Sequence, residues 1–297
     1  MCSRRCEGLA GKATAIAHGA ATIVNAIALG KGAAFGVDLW TKAEVKLTDE
    51  PSVFEADITS DPKESTLLVE RTVARVLQRF RLEKSFGAKV RTWSDIPAAR
   101  GLKSSSVAAN ATTLATVAAL GKELDDLEII KIGVEAAFDA KCTITGAFDD
   151  ACASYFGGAV ITDNTSREIL KQMPLPKDLM VMFHVPPQKA YTINSDVARL
   201  QTVKPLVELA FEKAIEGKIW EALTLNGIVY SAASNQNAAI AIDALAAGAV
   251  AAGLCGKGPA VTAVATADNV DKVKVALQKY EGEVLTAHIN SEKARVL

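Results

Sequence analysis

The chain is predicted to adopt an α+β fold, and three observations lead there. Strand-like and helix-like stretches are interspersed along its 297 residues without the regular βαβ rhythm of a doubly wound parallel sheet. The apolar spacing changes repeatedly between the two-residue period of strands and the 3.6-residue period of helices. Alanine is abundant and aromatics make up only 5% of residues, which favours closely packed helices.

Residues 11–48 are punctuated by glycine. Val37, Leu39, Val45 and Leu47 recur at strand spacing around Lys42, Glu44 and Lys46. Strands and hairpins are expected here, with part of 19–32 turning or helical. Leu67, Leu68, Val73, Val76, Leu77 and Phe80 follow helical spacing, and Pro62 suits a first turn. Residues 86–93 read as a short strand. A serine-rich loop leads into a helix that runs to about Leu120 and ends at Gly121. Asp125 or Asp126 caps the next helix, which extends to about Ala140. Residues 146–158 form a loop carrying a short helix, and 159–163, 168–172 and 179–185 read as strands. Helices are expected near 196–216, 218–232 and 236–247. Strands at 250–254 and 260–266 flank a CGKGP turn, before a helix at 268–279 and a strand at 284–289. Pro174, Pro176, Pro186 and Pro187 place a domain boundary near 160–190, giving halves of 1–165 and 166–297.

Net charge is −1, so no basic excess points to nucleic acid, and no basic amphipathic face points to a membrane surface. No unbroken run of about 20 apolar residues predicts a transmembrane helix. The start, MCSRRCEG, lacks the apolar core of a secretory signal. Five cysteines, an odd number with no Cys-x-x-Cys pair, fit free thiols in a cytoplasmic protein. The three histidines have no zinc-ligand spacing.

Three stretches could carry chemistry. In IPAARGLKSSSVAAN (96–110) a loop feeds a helix start, whose N–H groups and dipole suit an anion such as phosphate. Ser104, Ser105 and Ser106 equally suit helix caps. The stretch is not a Walker A loop, and no G-x-G-x-x-G fingerprint or G-x-S-x-G elbow occurs elsewhere. In TGAFDDACASYFGG (145–158), Asp149 and Asp150 are adjacent. Such a pair needs a compensating partner, and one member could accept a proton or orient a hydroxyl, or simply cap the short helix. In AGLCGKGPAVTAV (252–264), a glycine-rich turn lets the backbone approach a ligand or another loop.

Taken together, VNAIALGKG, PAARGLKSSSVAA and GLCGKGP resemble the three motifs of the GHMP kinase superfamily, in that family's order. The finer resemblance is to archaeal-type shikimate kinases. It rests on IPAARGLKSSSVAANA, TITGAFDDACASYFGGAVITDN, LNGIVYSAA and AIDALAAGAVAAGLCGKGP, and runs from about Gly11 to the C-terminus. It implies a two-domain fold, with an N-terminal half similar to the second domain of ribosomal protein S5 and a ferredoxin-like C-terminal half. It implies ATP and Mg²⁺ as cofactors, and shikimate as the small-molecule substrate whose 3-hydroxyl is phosphorylated. It also implies that ATP's phosphates lie on Pro97, Ala98, Ala99, Arg100, Gly101, Leu102, Lys103, Ser104, Ser105, Ser106 and Val107.

By position in the motifs, Ser105 and Asp139 match magnesium-side residues, with Glu135 a rival for Asp139. Asp150 matches the catalytic acid/base, with Asp149 its rival, and Lys12 matches a lysine that pairs with it. The chain departs from the family at Lys103, which replaces the second glycine of G-L-G-S-S. A positive φ there would cost lysine roughly 1 kcal/mol, or its ammonium could reach a phosphate oxygen.

Overall fold

A computed structural model describes residues 11–188 and 196–297. Cys2 and Cys6, read above as free thiols, lie outside the described residues. Two long strands, β1 (Lys12–Val24) and β2 (Lys31–Thr48), form an antiparallel ribbon at the centre of a seven-stranded sheet. The alternation at Val45 and Leu47 places both in the core. Residues 19–24, expected in part to turn, stay extended: they pair with β2, and register shifts after His18 and Thr22 absorb the glycine-rich irregularity. The turn is confined to residues 26–29.

The sheet is widened on one side by β4 (Gly87–Ser94) and β3 (Phe54–Ile58), which pair in parallel. β3 has no counterpart among the sequence-predicted strands. Its charged Glu55 and Asp57 are exposed, and five residues of edge strand carry little apolar signal. β5 (Ala159–Asp163) pairs with the far end of β2, β6 (Glu168–Met173) pairs with β5, and the two-residue β11 (Arg295–Val296) adds to β1. The first sheet thus takes in β6 and β11, both beyond residue 165.

Four helices belong to this layer: α1 (Leu67–Arg79), α2 (Ser104–Ala119), α3 (Asp126–Asp139) and α4 (Phe148–Phe156). The central one, α2, packs on both β1 and β2, with α1, α3 and α4 beside it. Its buried Ala109, Ala111 and Ala115 allow that close approach. Asp125 rather than Asp126 caps α3, accepting the Glu128 N–H at 2.9 Å.

A second, four-stranded sheet has the order β10 (Glu283–His288), β7 (Met180–Val185), β9 (Val261–Ala265), β8 (Ala251–Leu254). Its helices are α5 (Val197–Gln201), α6 (Lys204–Ile215), α7 (Ile219–Ala233), α8 (Ala239–Ala246) and α9 (Val270–Leu277). The single helix expected over 196–216 is broken in two, with Pro205 in the first turn of α6. α7 packs on both β8 and β1 and so joins the two layers. There, Asn226 Oδ1 accepts the Asn25 N–H at 3.1 Å, and Tyr230 Oη accepts the Ala28 N–H at 3.1 Å. No helix among the described residues is long and apolar enough to cross a membrane.

Candidate active site

All three chemistry-bearing stretches reach one cavity of about 670 Å³. The serine loop contributes 97–101 and 103–106 to its lining. Leu102 and Val107 do not line it. Both are core residues, 2% and 0% exposed, and they anchor the loop from below.

The helix start is unusual. Lys103, in the left-handed conformation at φ 64°, occupies the N-cap position of α2, and no side chain caps the helix. Ser104, Ser105 and Ser106 therefore lie inside the first turn rather than at the cap. The N–H groups of an uncapped first turn, together with the helix dipole, favour an anion in the cavity. Cys142, also on the cavity wall, donates its Sγ–H to the Ala137 carbonyl at 3.5 Å.

Asp149 and Asp150 occupy the first turn of α4, whose N-cap is Ala147 with no capping side chain. Neither aspartate is the cap, and their surroundings differ. Asp149 Oδ1 accepts the Asn164 amide N–H at 2.8 Å. Its other oxygen lies against Gly32, where an added Cβ would come within 2.4 Å of it, so only glycine fits that position of the first motif. Asp150 Oδ2 pairs with the Lys103 ammonium at 3.0 Å, both side chains being about nine-tenths buried at 12% and 8% exposure. Asp150 Oδ1 is buried and has no hydrogen-bond partner among the described residues. Asp150 thus has one oxygen fixed by a cation and the other still able to accept.

Burial raises Asp149 most, and the Asp150 charge raises it further, to about 7. Burial opposes the Lys103 ammonium, but Asp150, Cys255 and Asp149 outweigh it and the net shift is upward. The Asp149 shift has a consequence for stability. The folded state holds this proton more tightly than the unfolded chain, so folding is penalised fully above about pH 7, and the penalty fades as pH falls toward the ordinary value of 3.8. Asp149→Asn, which still offers Asn164 an acceptor, is expected to raise the melting temperature more at pH 8 than at pH 5. A pH-independent change would contradict this.

Two expected partners lie elsewhere. Lys12, expected to pair with Asp150, points to the surface and pairs with Glu44 across the β1–β2 ribbon at 2.9 Å. The cation on Asp150 is Lys103, the residue that departs from the family pattern. Lys12→Ala is expected to leave kcat within about twofold, because exposed pairs of this kind contribute little. A loss of a hundredfold would return Lys12 to the site.

Asp139, expected beside magnesium, is the last residue of α3 and does not line the cavity. Arg75 of α1 grips both its oxygens, at 2.6 and 2.7 Å, and these hydrogen bonds hold its carboxyl below the ordinary range. Its rival Glu135 is shared between Arg75 at 3.5 Å and Arg167 at 3.1 Å. Two arginines explain both displacements: they clamp α1 and the β5–β6 turn to α3. Ser105 and Asp139 together therefore do not fit a magnesium site, and no cluster of three or more potential ligands occurs among the described residues.

Sequence reading missed Lys257. It sits in the third glycine-rich stretch and lines the same cavity, but the flexible turn around it drew no role for its side chain.

An uncapped helix start and a buried carboxylate with a free oxygen, facing one cavity, are the parts of a phosphotransferase. Comparison with known proteins agrees. The family model described as "GHMP kinases N terminal domain" matches residues 68–158. The chain is 45% identical over 282 residues to a shikimate kinase from Methanosarcina mazei, covering 94% of this chain and 95% of the relative. It is 38% identical over 291 residues to one from Methanothermobacter thermautotrophicus, covering 96% and 98%. Among solved structures, a homoserine kinase from Cytophaga hutchinsonii superposes with TM-score 0.75 at 16% identity, covering 99% of each chain. The Methanococcus jannaschii mevalonate kinase gives TM-score 0.74 at 14% identity, over 95% of this chain and 100% of that one. These structures share the GHMP kinase fold. The chain belongs to the archaeal shikimate kinase family of the GHMP kinases, and as a kinase it uses ATP.

Proposed function

We propose that the protein transfers the γ-phosphoryl group of ATP to the 3-hydroxyl of shikimate, giving shikimate 3-phosphate and ADP for aromatic amino acid biosynthesis in the cytoplasm. The observation that carries the chemistry is the buried Oδ1 of Asp150, without a hydrogen-bond partner among the described residues and with its other oxygen held by Lys103, in the cavity that the serine loop also lines. The acceptor is supported by near full-length likeness to shikimate kinases.

The phosphates rest on the serine loop, where the first-turn N–H groups of α2 and the helix dipole favour their charge. The acceptor hydroxyl donates to Asp150 Oδ1, which orients it and takes its proton as the new O–P bond forms. The bond from the γ-phosphorus to its bridging oxygen breaks, and ADP leaves with that electron pair. Lys103 holds the Asp150 carboxylate in direction through its other oxygen. Magnesium would be carried by ATP as part of the substrate and would offset the phosphate charge, with Ser105 the residue here nearest in kind to a ligand; Asp139 remains with Arg75. In domain terms, the serine and aspartate loops belong to the N-terminal half and the CGKGP turn to the C-terminal half, so the site lies where the halves meet.

A coupled ADP assay over shikimate, homoserine and mevalonate tests this reading. Turnover with shikimate alone is the expected result. Turnover with homoserine or mevalonate alone would overturn the acceptor, and ATP binding without turnover of any of them would make the protein a nucleotide sensor.

A further inference from the structure

The cavity contains a cation that the reaction as described does not use. Lys257 lines the cavity, and its Nζ is buried without a hydrogen-bond partner among the described residues. The other ammonium at this end, Lys103, is already committed to Asp150. A buried charge without a partner is costly, and folding alone gives no reason to keep one.

The turn carrying Lys257 is held against the phosphate loop. The Ala260 N–H donates to the Arg100 carbonyl at 3.2 Å. Gly256, with φ +62°, lies so close to Lys103 that an added Cβ would meet its Nζ at 2.6 Å. This contact brings the third glycine-rich stretch up to the Lys103–Asp150 pair, and the Lys257 ammonium within range of the Lys103 charge. Burial lowers the Lys257 ammonium, and Lys103 lowers it further, to about 8. Both effects are relieved when an oxyanion arrives between the two cations.

We infer that Lys257 binds the phosphoryl group in transit, contacting its non-bridging oxygens first as ATP's γ-phosphate and then on the product. Placement decides between this and the acceptor's carboxylate. The turn that carries Lys257 is held against Lys103 and the serine loop, where phosphate charge gathers. The inference rests on the phosphotransfer reading but not on which alcohol is the acceptor.

The test compares nucleotides by calorimetry, with no acceptor present. For Lys257→Met, affinity for the magnesium complex of a non-hydrolysable β,γ-imido ATP analogue is expected to fall about tenfold or more, the scale of a lost hydrogen bond to a charged group. Affinity for MgADP is expected to change less than about twofold, and Lys257→Arg is expected to keep most of the analogue affinity. Equal losses for both nucleotides, or no loss for either, would overturn the inference. In turnover, kcat of the Met variant should fall about a hundredfold with little change in the acceptor KM. A raised acceptor KM at unchanged kcat would assign Lys257 to the carboxylate instead.

Because Lys257 has no hydrogen-bond partner among the described residues, the Met variant should melt no lower than the wild type. A lower melting temperature would show that the lysine serves folding. Failure of the wild type on shikimate would overturn only the acceptor, since the nucleotide comparison contains none.

Discussion

Asp150→Asn is expected to slow single-turnover phosphoryl transfer about a thousandfold, within the range set by losing a positioned general base. The asparagine keeps the size and most of the shape of the side chain, so an acceptor can still enter. Its oxygen is neutral and cannot take the hydroxyl proton. The variant also leaves the Lys103 ammonium buried without its counter-charge, where each of the pair is now about nine-tenths covered. Breaking one side of such a pair costs about 3–5 kcal/mol. Melting curves therefore accompany the kinetics, so that lost fold and lost chemistry are read separately. An unchanged transfer rate in a folded variant would remove Asp150 from the chemistry. Asp149 would then be the remaining candidate, although Asn164 and Gly32 already enclose its oxygens.

The second large effect is at Lys103. Lys103→Met removes the only ion-pair partner that Asp150 has among the described residues. It is expected to destabilise the protein by about 3–5 kcal/mol and to slow transfer by about a hundredfold through a misdirected carboxylate. Lys103→Gly restores the glycine more usual in this loop. At φ 64° a lysine pays about 1 kcal/mol for the left-handed conformation and glycine pays little. The Gly variant should thus be more stable than the Met variant by about 1 kcal/mol, yet equally slow. Denaturant unfolding and kcat on the same samples decide it. A Gly variant with wild-type activity would make Lys103 a structural residue only.

Much of this site was legible in the chain. The serine loop, the aspartate pair and the CGKGP turn each stood out through residue types that do one physical job, and their order pointed to one family. Strand β2 of the central ribbon followed from alternation at Val37, Leu39, Val45 and Leu47. What could not be read were choices made by long-range contacts. Lys12 and Lys103 are both lysines near a motif, but only folding shows that one faces Glu44 on the surface and the other faces Asp150 inside. The position of Asp139 suits a metal ligand, and Arg75, 64 residues earlier in the chain, claims it instead. Lys257 was hidden for the opposite reason: its neighbours are glycines chosen for close approach, and that approach is what brings its ammonium to the cavity. The two-residue β11 is too short to leave a periodic signal, and β3, although Phe54, Ala56 and Ile58 alternate with Glu55 and Asp57, buries none of its residues fully, so pairing with β4 makes it a strand.

The most direct test of the whole account is a crystal structure of the complex with shikimate and a non-hydrolysable ATP analogue. The account predicts the 3-hydroxyl oxygen within hydrogen-bond distance of Asp150 Oδ1, with the γ-phosphate between the serine loop and the ammonium groups of Lys103 and Lys257. A 3-hydroxyl directed at Asp149, or a γ-phosphate away from the start of α2, would contradict it.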